Sequence, residues 1–238
     1  MVAHRGVATA AAENTIDAFT NAIAVGADMI EFDVRRTRDG ELIVFHDPRV
    51  GATAIGDLTR AEIASAKGVR LPLFAEVLEA CAGQIRLDVE LKEDGYVPEA
   101  MAQLRAALAK ADADVAQQVV TSFLPAVVAQ AKDAFPEVRT GLLVGTDGPF
   151  YHVREHYRQV FPVGLARQVR ADYLAPHYKL ASYGVVARAA SAGLPCLLWT
   201  VNGDADISRF AADPRVAGII TDQAARALTI VAGAPGVA

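Results

Sequence analysis

Short apolar runs alternate with helix-like patterns along the whole chain, and this alternation is the feature that most constrains the fold. The runs predict eight strands, at Val2–His4, Met29–Val34, Ile85–Leu91, Gln118–Ser122, Arg139–Val144, Asp172–Ala175, Cys196–Val201 and Ala217–Thr221. Eight strands in 238 residues leave about 30 residues for each strand and its following helix, the usual length of a βα unit. Such repetition predicts parallel strands, because a crossover helix returns the chain to the same end of a sheet.

A helical pattern follows most of these strands directly. The predicted helices are Thr15–Val25, Leu73–Ala82, Pro98–Ala111, Pro125–Ala134, Phe150–Phe161, Ser182–Ala192, Ala205–Ala212 and Gln223–Val231. In the first of them Ile16, Phe19 and Ile23 recur at helical spacing and form one apolar stripe, with Asn14 or Thr15 as its N-cap.

Two architectures place helices between parallel strands, an open doubly wound sheet and a closed barrel. The open sheet usually carries a glycine-rich phosphate loop after its first strand, whereas residues 5–13 are rich in alanine. Eight units at this length favour an α/β fold of the (β/α)8 TIM barrel type, with residues 1–238 as a single barrel domain. Residues 37–71 predict a short insertion between the second and third barrel strands. It contains an Asp39-Gly40 turn and the run Leu42–Phe45, and it carries His46.

Composition excludes several classes of protein. Hydrophobic residues make up 53% of the chain and charged residues 21%, which is typical of a globular protein. The net charge of -5 and the lack of a basic stripe argue against nucleic-acid binding, and no apolar run is long enough to predict a membrane span. The two cysteines predict neither a disulfide framework nor a zinc site. No basic segment followed by an apolar stretch precedes His4, so we expect a cytoplasmic protein.

Carboxylates alternate with apolar residues in the second predicted strand. Ile30, Phe32 and Val34 share one face, so Glu31 and Asp33 share the other. In a barrel the apolar face packs against the helices, and the two acids therefore point into the barrel.

The third predicted strand repeats this pattern, with Asp88, Glu90 and Lys92 on its inner face. Inward-facing charges are costly unless they are paired or bind a cation, and carboxylate oxygens are the ligands of hard cations. We therefore expect a site for one divalent cation, Mg²⁺ or Ca²⁺, with Asp88 too deep to be a sure ligand. The alternative is a buried ion network in which Lys92 and Arg5 neutralise the acids.

The five histidines differ in their positions relative to the predicted strands. His4 ends the first strand, at the end where barrel active sites form, and His46 ends the hairpin-like run of the insertion that follows the acidic strand. His177 follows the sixth strand at the same end of the barrel. His152 and His156 lie on a polar helical stretch, where solvent exposure is the simpler interpretation.

Two further residues follow late strands. Trp199, the only tryptophan, is placed either as a wall of a substrate pocket or as a core residue. Asp222, after the eighth strand, is interpreted as a helix cap rather than a catalytic group.

Taken in order, these residues resemble the glycerophosphodiester phosphodiesterase family. The matching motifs are His4-Arg5-Gly6, Glu13-Asn14-Thr15, Gly26-Ala27-Asp28, Ile30-Glu31-Phe32-Asp33-Val34, Asp39-Gly40, His46-Asp47, Val89-Glu90-Leu91-Lys92, Trp199-Thr200-Val201-Asn202 and Gly218-Ile219-Ile220-Thr221-Asp222. The set within the first 47 residues is specific, although each tripeptide alone is weak. Two departures are Ala12, where the family often has proline, and a short stretch between His46 and Leu71.

The resemblance implies a metal-dependent hydrolase that releases sn-glycerol 3-phosphate and an alcohol from small glycerophosphodiesters. By the same resemblance Glu31, Asp33 and Glu90 bind the divalent cation, His4 and His46 form the general acid–base pair, and Arg5 and Lys92 hold the phosphate. We place Trp199 with the substrate-binding residues. Water and the neighbouring glycerol hydroxyl are both open as nucleophiles, and the resemblance favours the hydroxyl, through a cyclic phosphate.

The two histidines are predicted to differ in role. His4, at a strand end beside Arg5, is placed as the base, and His46, on the insertion, as the general acid that meets the leaving group.

Three other functions are compatible with parts of the pattern. A phospholipase D-type barrel acting on lysophospholipids would need an apolar rim, and no basic amphipathic helix is visible. A barrel lyase or racemase would use the acids and Lys92 but leaves His4 and His46 without roles. The third is a non-catalytic barrel that binds a phosphate ligand. A homo-oligomer is compatible with the sequence but not indicated by it.

Overall fold

The computed structural model describes residues 1–8, 12–145 and 161–233. Its strands are β1 (Val2–His4), β2 (Met29–Arg36), β3 (Leu42–Val44), β4 (Arg49–Val50), β5 (Thr53–Ala54), β6 (Arg86–Leu91), β7 (Val119–Ser122), β8 (Arg139–Val144), β9 (Tyr173–Pro176), β10 (Cys196–Leu198) and β11 (Val216–Thr221). β1 pairs in parallel with both β11 and β2, and the chain of parallel pairs continues through β6 to β11. These eight strands close into a parallel barrel, which confirms the predicted (β/α)8 fold.

The helices are α1 (Ile16–Ala24), α2 (Arg60–Lys67), α3 (Phe74–Cys81), α4 (Val97–Lys110), α5 (Pro125–Ala134), α6 (Val163–Gln168), α7 (Val185–Ser191), α8 (Asp204–Ala211) and α9 (Ala224–Ala232). Three short 3₁₀ helices add to them, at Ile55–Asp57, Val115–Gln117 and Tyr178–Tyr183. Of the predicted helix Phe150–Phe161 only Phe161 is described, and His152 and His156 lie outside the described residues. Among the helices of the described residues, none combines the length and the apolar character needed to cross a membrane.

The insertion after β2 begins as the predicted hairpin. β3 pairs antiparallel with β2, with Val34 opposite Val44. A small apolar cluster then closes the insertion, and it comprises Ile43, Ile55, Ile63 and Leu71. The insertion is therefore packed on its own core beside the barrel mouth.

The outer faces of the strands form the main core with the helices. Ile30, Phe32 and Val34 are all fully buried, and the Phe32 ring contacts Phe19 of α1 and Phe74 of α3. This arrangement confirms the face assigned to these apolar residues and turns the odd-numbered residues of β2 toward the barrel interior.

Two predicted elements are shorter than expected. The strand predicted at Cys196–Val201 ends at Leu198, so Trp199 lies in the loop that follows it. The helix predicted from Ser182 begins at Val185, because a 3₁₀ helix ends at Tyr183 and Gly184 then adopts a φ of 74°. A left-handed residue interrupts a right-handed helix, and glycine accepts that conformation at little cost.

Candidate active site

A cavity of about 370 Å³ opens at the carboxyl ends of the barrel strands. Its lining includes His4, Arg5, Glu31, His46, Glu90, Lys92 and Trp199. The carboxyl ends of the strands are the usual location of the active site in TIM-barrel enzymes. The structure therefore brings most of the residues singled out from the sequence around one opening.

Three carboxylates from adjacent strands meet at the base of this cavity. Glu31 and Asp33 lie on β2, and Glu90 lies opposite Asp33 on β6. One oxygen from each lies within 4.8 Å of the other two, and the three residues are 1% to 7% exposed. Such a set of converging carboxylate oxygens is consistent with a site for a divalent cation.

The positive side chains neutralise only part of this cluster. Lys92 Nζ lies 2.7 Å from Asp33 Oδ1 and 2.6 Å from Glu90 Oε1, and Arg5 Nε lies 3.3 Å from Asp33 Oδ2. Glu31 accepts a bond from the Arg5 backbone N–H at 3.2 Å, but its other oxygen has no hydrogen-bond partner among the described residues. The ion network considered as an alternative therefore exists, yet it leaves a buried oxygen that a cation would satisfy.

The pKa values of the acids reflect the unequal compensation of their charges. Burial raises the pKa of Glu31 well above its ordinary value, and the charges of Asp33 and Glu90 raise it further. Burial also acts to raise the pKa of Asp33, but Lys92 and Arg5 outweigh it and hold that pKa below its ordinary value. A proton or a cation at Glu31 would therefore relieve the repulsion within the cluster.

Asp88 lies on β6, two residues before Glu90 and deeper in the barrel. It is fully buried, accepts a hydrogen bond from Thr121 Oγ1 at 2.8 Å and does not belong to the three-carboxylate cluster. Burial raises its pKa to about 7. This position agrees with the expectation that Asp88 lies deeper in the barrel than Glu90.

His4 ends β1 and is held by an acid from the last strand of the barrel. Its Nδ1 lies 2.5 Å from Asp222 Oδ1, and its Nε2 lies 3.8 Å from Glu31 Oε2. Asn202 Nδ2 donates to the other Asp222 oxygen at 2.6 Å, and the hydrogen bond with His4 lowers the pKa of Asp222. The carboxylate can only accept a bond, so Nδ1 donates and Nε2 faces the acid cluster.

The interpretation of Asp222 as a helix cap is wrong. Helix α9 begins at Ala224 after Gln223, with no side-chain cap, while Asp222 orients His4. The available signal was the closure of the barrel, which places the end of β11 beside the end of β1.

The loop after β1 supplies a second group that the sequence did not reveal. Thr15 caps α1, and Asn14 instead donates through Nδ2 to Asp33 Oδ2 at 2.8 Å.

Arg5 has a φ of 53° and binds Glu13 Oε1 through Nη1 at 2.8 Å. Gly6 has a φ of 85°, and a Cβ there would lie 2.7 Å from the backbone of Ala18. A side chain at position 6 would push this loop away from α1.

His46 reaches the cavity from the insertion. The backbone N–H of Phe45 donates to Asp33 O at 2.9 Å, which ties the segment to β2. His46 Nδ1 lies 3.0 Å from Asp47 Oδ1. Burial lowers the pKa of His46, and neighbouring Asp33 acts in the opposite direction.

Aromatic side chains form the opposite wall of the cavity. Trp199 donates through Nε1 to Ala175 O at 2.7 Å, and the ring of Phe123 meets it edge-on at 5.3 Å. His177 is 5% exposed and packs edge-on against Trp199 at 5.0 Å instead of lining the cavity. Trp199 thus lines the cavity and also packs against the buried side chain of His177.

Comparisons with known proteins point to one family. The family model described as the glycerophosphoryl diester phosphodiesterase family matches residues 4–226. A glycerophosphodiester phosphodiesterase of Caldanaerobacter subterraneus is 30% identical, over 97% of this chain and 97% of its own length.

Solved structures share the fold over nearly the whole chain. A glycerophosphodiester phosphodiesterase from Parabacteroides distasonis superposes with a TM-score of 0.76 at 23% identity, covering 97% of this chain and 95% of its own. A phosphodiesterase from Oleispira antarctica, solved with the product sn-glycerol-3-phosphate, gives a TM-score of 0.76 at 20% identity, covering 98% and 96%. With a family model that spans the barrel and a relative of this identity and coverage, the chain belongs to the glycerophosphoryl diester phosphodiesterase family of enzymes.

Proposed function

We propose that the chain hydrolyses glycerophosphodiesters to sn-glycerol 3-phosphate and an alcohol, with one divalent cation, Mg²⁺ or Ca²⁺, as cofactor. The observation that carries this proposal is one cavity lined by two histidines, two basic side chains and two carboxylates of the cluster that Asp33 completes. The product bound in the Oleispira relative supports the same chemistry.

The residues divide into those that bind the phosphate and those that bind the cation. Glu31, Asp33 and Glu90 would hold the cation, which when bound supplies positive charge to the phosphate oxygens. Arg5 and Lys92 line the same cavity and would offset the charge that builds on those oxygens in the transition state.

The two histidines divide the proton transfers. His4 Nε2 faces the site with a lone pair, because Asp222 holds the proton on Nδ1, and it accepts the proton of the attacking hydroxyl. His46, on the insertion, donates a proton to the oxygen of the leaving alcohol. This division holds for release of the alcohol whether the hydroxyl belongs to water or to the glycerol. On the glycerol route that step forms a cyclic phosphate, and water then opens the ring to give sn-glycerol 3-phosphate, with the two histidines in exchanged roles.

A second candidate substrate class is favoured by one observation. Phe123 lines the cavity beside Trp199, and Phe123 and the adjacent Leu124 are each 41% exposed. An apolar wall of this kind would accommodate a lysophospholipid, as in a phospholipase D-type reaction. Mouse lysophospholipase D GDPD1 is 31% identical over 40% of this chain.

The direct test is release of glycerol 3-phosphate from a panel of glycerophosphodiesters and one lysophospholipid, with Mg²⁺, Ca²⁺ or a chelator. We expect release only with a cation, and loss of both release and cation binding in Glu31→Gln. Glu79→Gln, an exposed acid paired with Lys110, is the charge-matched control. Full activity of Glu31→Gln with chelator present would overturn the metal-dependent reaction, and binding without turnover would favour a ligand-binding barrel.

The roles of the histidines are tested with two leaving groups. An alcohol such as p-nitrophenol leaves with little protonation, so a general acid contributes little to its departure. We expect His46→Ala to lose far less rate on a p-nitrophenyl glycerophosphodiester than on an alkyl one, and His4→Ala to lose similar factors on both. The opposite pattern would exchange the two assignments.

A further inference from the structure

Arg35 is a buried cation on the strand that carries the acid cluster. It shares the parity of Glu31 and Asp33 on β2, so its side chain starts from the inner face, and that side chain is 8% exposed. A buried charge is expensive unless all of its donors are bound, so the partners of this guanidinium indicate its role.

The guanidinium binds the segment that carries His46. Arg35 Nε and Nη2 donate to the His46 backbone carbonyl at 2.9 and 2.7 Å, and Nη1 donates to Glu93. Every nitrogen of the guanidinium thus has a protein acceptor, and Arg35 does not line the cavity. It therefore acts on the loop and not on a substrate phosphate.

Arg35 bridges the His46 carbonyl and Glu93, and the turn that carries Glu93 is itself held in place. Tyr96 is 2% exposed, and its hydroxyl donates to Val34 O at 2.6 Å and accepts from Lys92 N at 3.1 Å. The backbone N–H of Glu93 approaches the same hydroxyl at 3.3 Å. Tyr96 therefore anchors the turn after β6 on which Glu93 stands, and through Glu93 it fixes Arg35.

We propose that Arg35 is a positioning residue that holds the His46 imidazole at the leaving-group side of the site. The main-chain bond of Phe45 to Asp33 fixes the segment one residue earlier. Arg35 fixes the backbone of His46 itself, and Asp47 bonds the His46 ring. A shift of about 1 Å in a reacting group costs on the order of 10²-fold in rate. This inference rests on the proposed acid role of His46.

Arg35→Met removes the bridge, and Arg36→Met is its matched control. Arg36 is the next residue of β2, has the opposite parity, is exposed and donates to Gly95 O at 3.3 Å. We expect Arg35→Met to lower kcat on an alkyl glycerophosphodiester by about 10- to 100-fold with KM within about twofold, the range of supporting residues that orient a catalytic group. The p-nitrophenyl diester should lose little, and Arg36→Met should lose little on either substrate.

A double-mutant cycle separates positioning from a general structural role. If Arg35 acts through His46, Arg35→Met adds no further loss on the alkyl diester in the His46→Ala background. A full additional loss there, or equal losses on both diesters in the wild-type background, would overturn the positioning role while leaving the acid role of His46 intact. Unchanged activity of His46→Ala on the alkyl diester would instead overturn the acid role, and this inference with it. Arg35→Gln, which keeps an amide donor for the carbonyl, is measured in the same cycle should Arg35→Met fail to fold.

Discussion

The proposed role of His4 as a base requires a lone pair on its Nε2, and Asp222 is the residue that favours this tautomer. The carboxylate accepts from Nδ1 at 2.5 Å and is itself held by Asn202. In the proposed reaction the same acid would stabilise the imidazolium formed when His4 takes the proton.

We expect Asp222→Asn to lower kcat by about 10²-fold or more, because the amide can donate to Nδ1 and stabilise the other tautomer. KM should change much less, since Asp222 does not line the cavity. Steady-state kinetics on a glycerophosphodiester measure the effect, with the exposed Asp204→Asn as the control. Wild-type kcat in Asp222→Asn would show that His4 does not depend on this partner.

The pH dependence of the reaction is linked to Asp47. A general acid must be protonated, so kcat/KM falls as pH rises through the pKa of His46. Burial lowers that pKa, whereas the hydrogen bond from His46 Nδ1 to Asp47 raises it. Asp47→Asn should therefore move the alkaline limb of kcat/KM to lower pH and leave the acid limb in place.

The measurement is a kcat/KM profile between about pH 5 and about pH 9, where a histidine base and a histidine acid give a bell shape. Asp57→Asn, in the same insertion, is the control and should leave both limbs unchanged. An alkaline limb that moves to higher pH in Asp47→Asn, or does not move, would contradict the assignment of His46 as the acid.

Local pattern predicts some of these site residues and not others. Glu31, Asp33 and Glu90 are predictable because strand periodicity fixes the face of each residue before any tertiary contact is known. The bond between His4 and Asp222 joins residues 218 apart and exists only because β11 closes onto β1. Pattern alone does not assign such a pair.

At the scale of elements, β2 joins the site to the core. Its odd-numbered residues include the two acids and Arg35, and its even-numbered apolar residues Ile30, Phe32 and Val34 pack in the core with α1 and α3. Phe32 lies between Phe19 and Phe74, with ring centroids at 5.5 and 6.1 Å. The packing of this ring therefore fixes the strand from which the carboxylates project.

We expect Phe32→Ala to lower the free energy of unfolding by about 3–5 kcal/mol, the usual cost of removing a fully buried phenylalanine. Denaturant unfolding measures the loss, and Phe161→Ala, at a ring that is 49% exposed, is the control with a smaller expected effect. A loss in Phe32→Ala no larger than in the control would show that the cluster contributes little.

The elements themselves were largely predictable, and the exceptions have local causes. Pro125 begins α5 as expected, since proline suits the first turn of a helix. The strand stops at Leu198, and the next residue, Trp199, pairs with His177 in an isolated bridge, a contact between distant segments. Strand ends at a barrel mouth are set by such contacts and not by apolar runs.

At the scale of the whole molecule, the fold concentrates buried negative charge at one end of the barrel. Glu31, Asp33, Asp88 and Glu90 are all less than 9% exposed, and Lys92 and Arg5 are the cations that contact this group. The barrel without a bound cation therefore carries an electrostatic cost that a bound cation would offset.

This electrostatic cost determines whether a rise in pH stabilises or destabilises the metal-free protein. The pKa of Glu31 is raised in the folded state above its ordinary value of 4.5, so the folded protein holds a proton that the unfolded chain has lost. The stability of the metal-free protein should thus fall as pH rises from about 4.5 through the folded-state pKa.

Glu31→Gln removes this ionisation and with it part of the repulsion. We expect the chelated variant to be more stable than the chelated wild type at neutral pH, and its unfolding to depend less on pH, because glutamine has no proton to lose. Added Mg²⁺ or Ca²⁺ should raise the melting temperature of the wild type, since a ligand that binds only the folded state stabilises it, and should have little effect on the variant.

Thermal unfolding with and without cation at several pH values measures all three effects, with Glu79→Gln as the control. Equal stabilisation of Glu31→Gln and wild type by the cation would mean that Glu31 is not a ligand. A less stable chelated variant would mean that its carboxylate is already well compensated in the metal-free barrel.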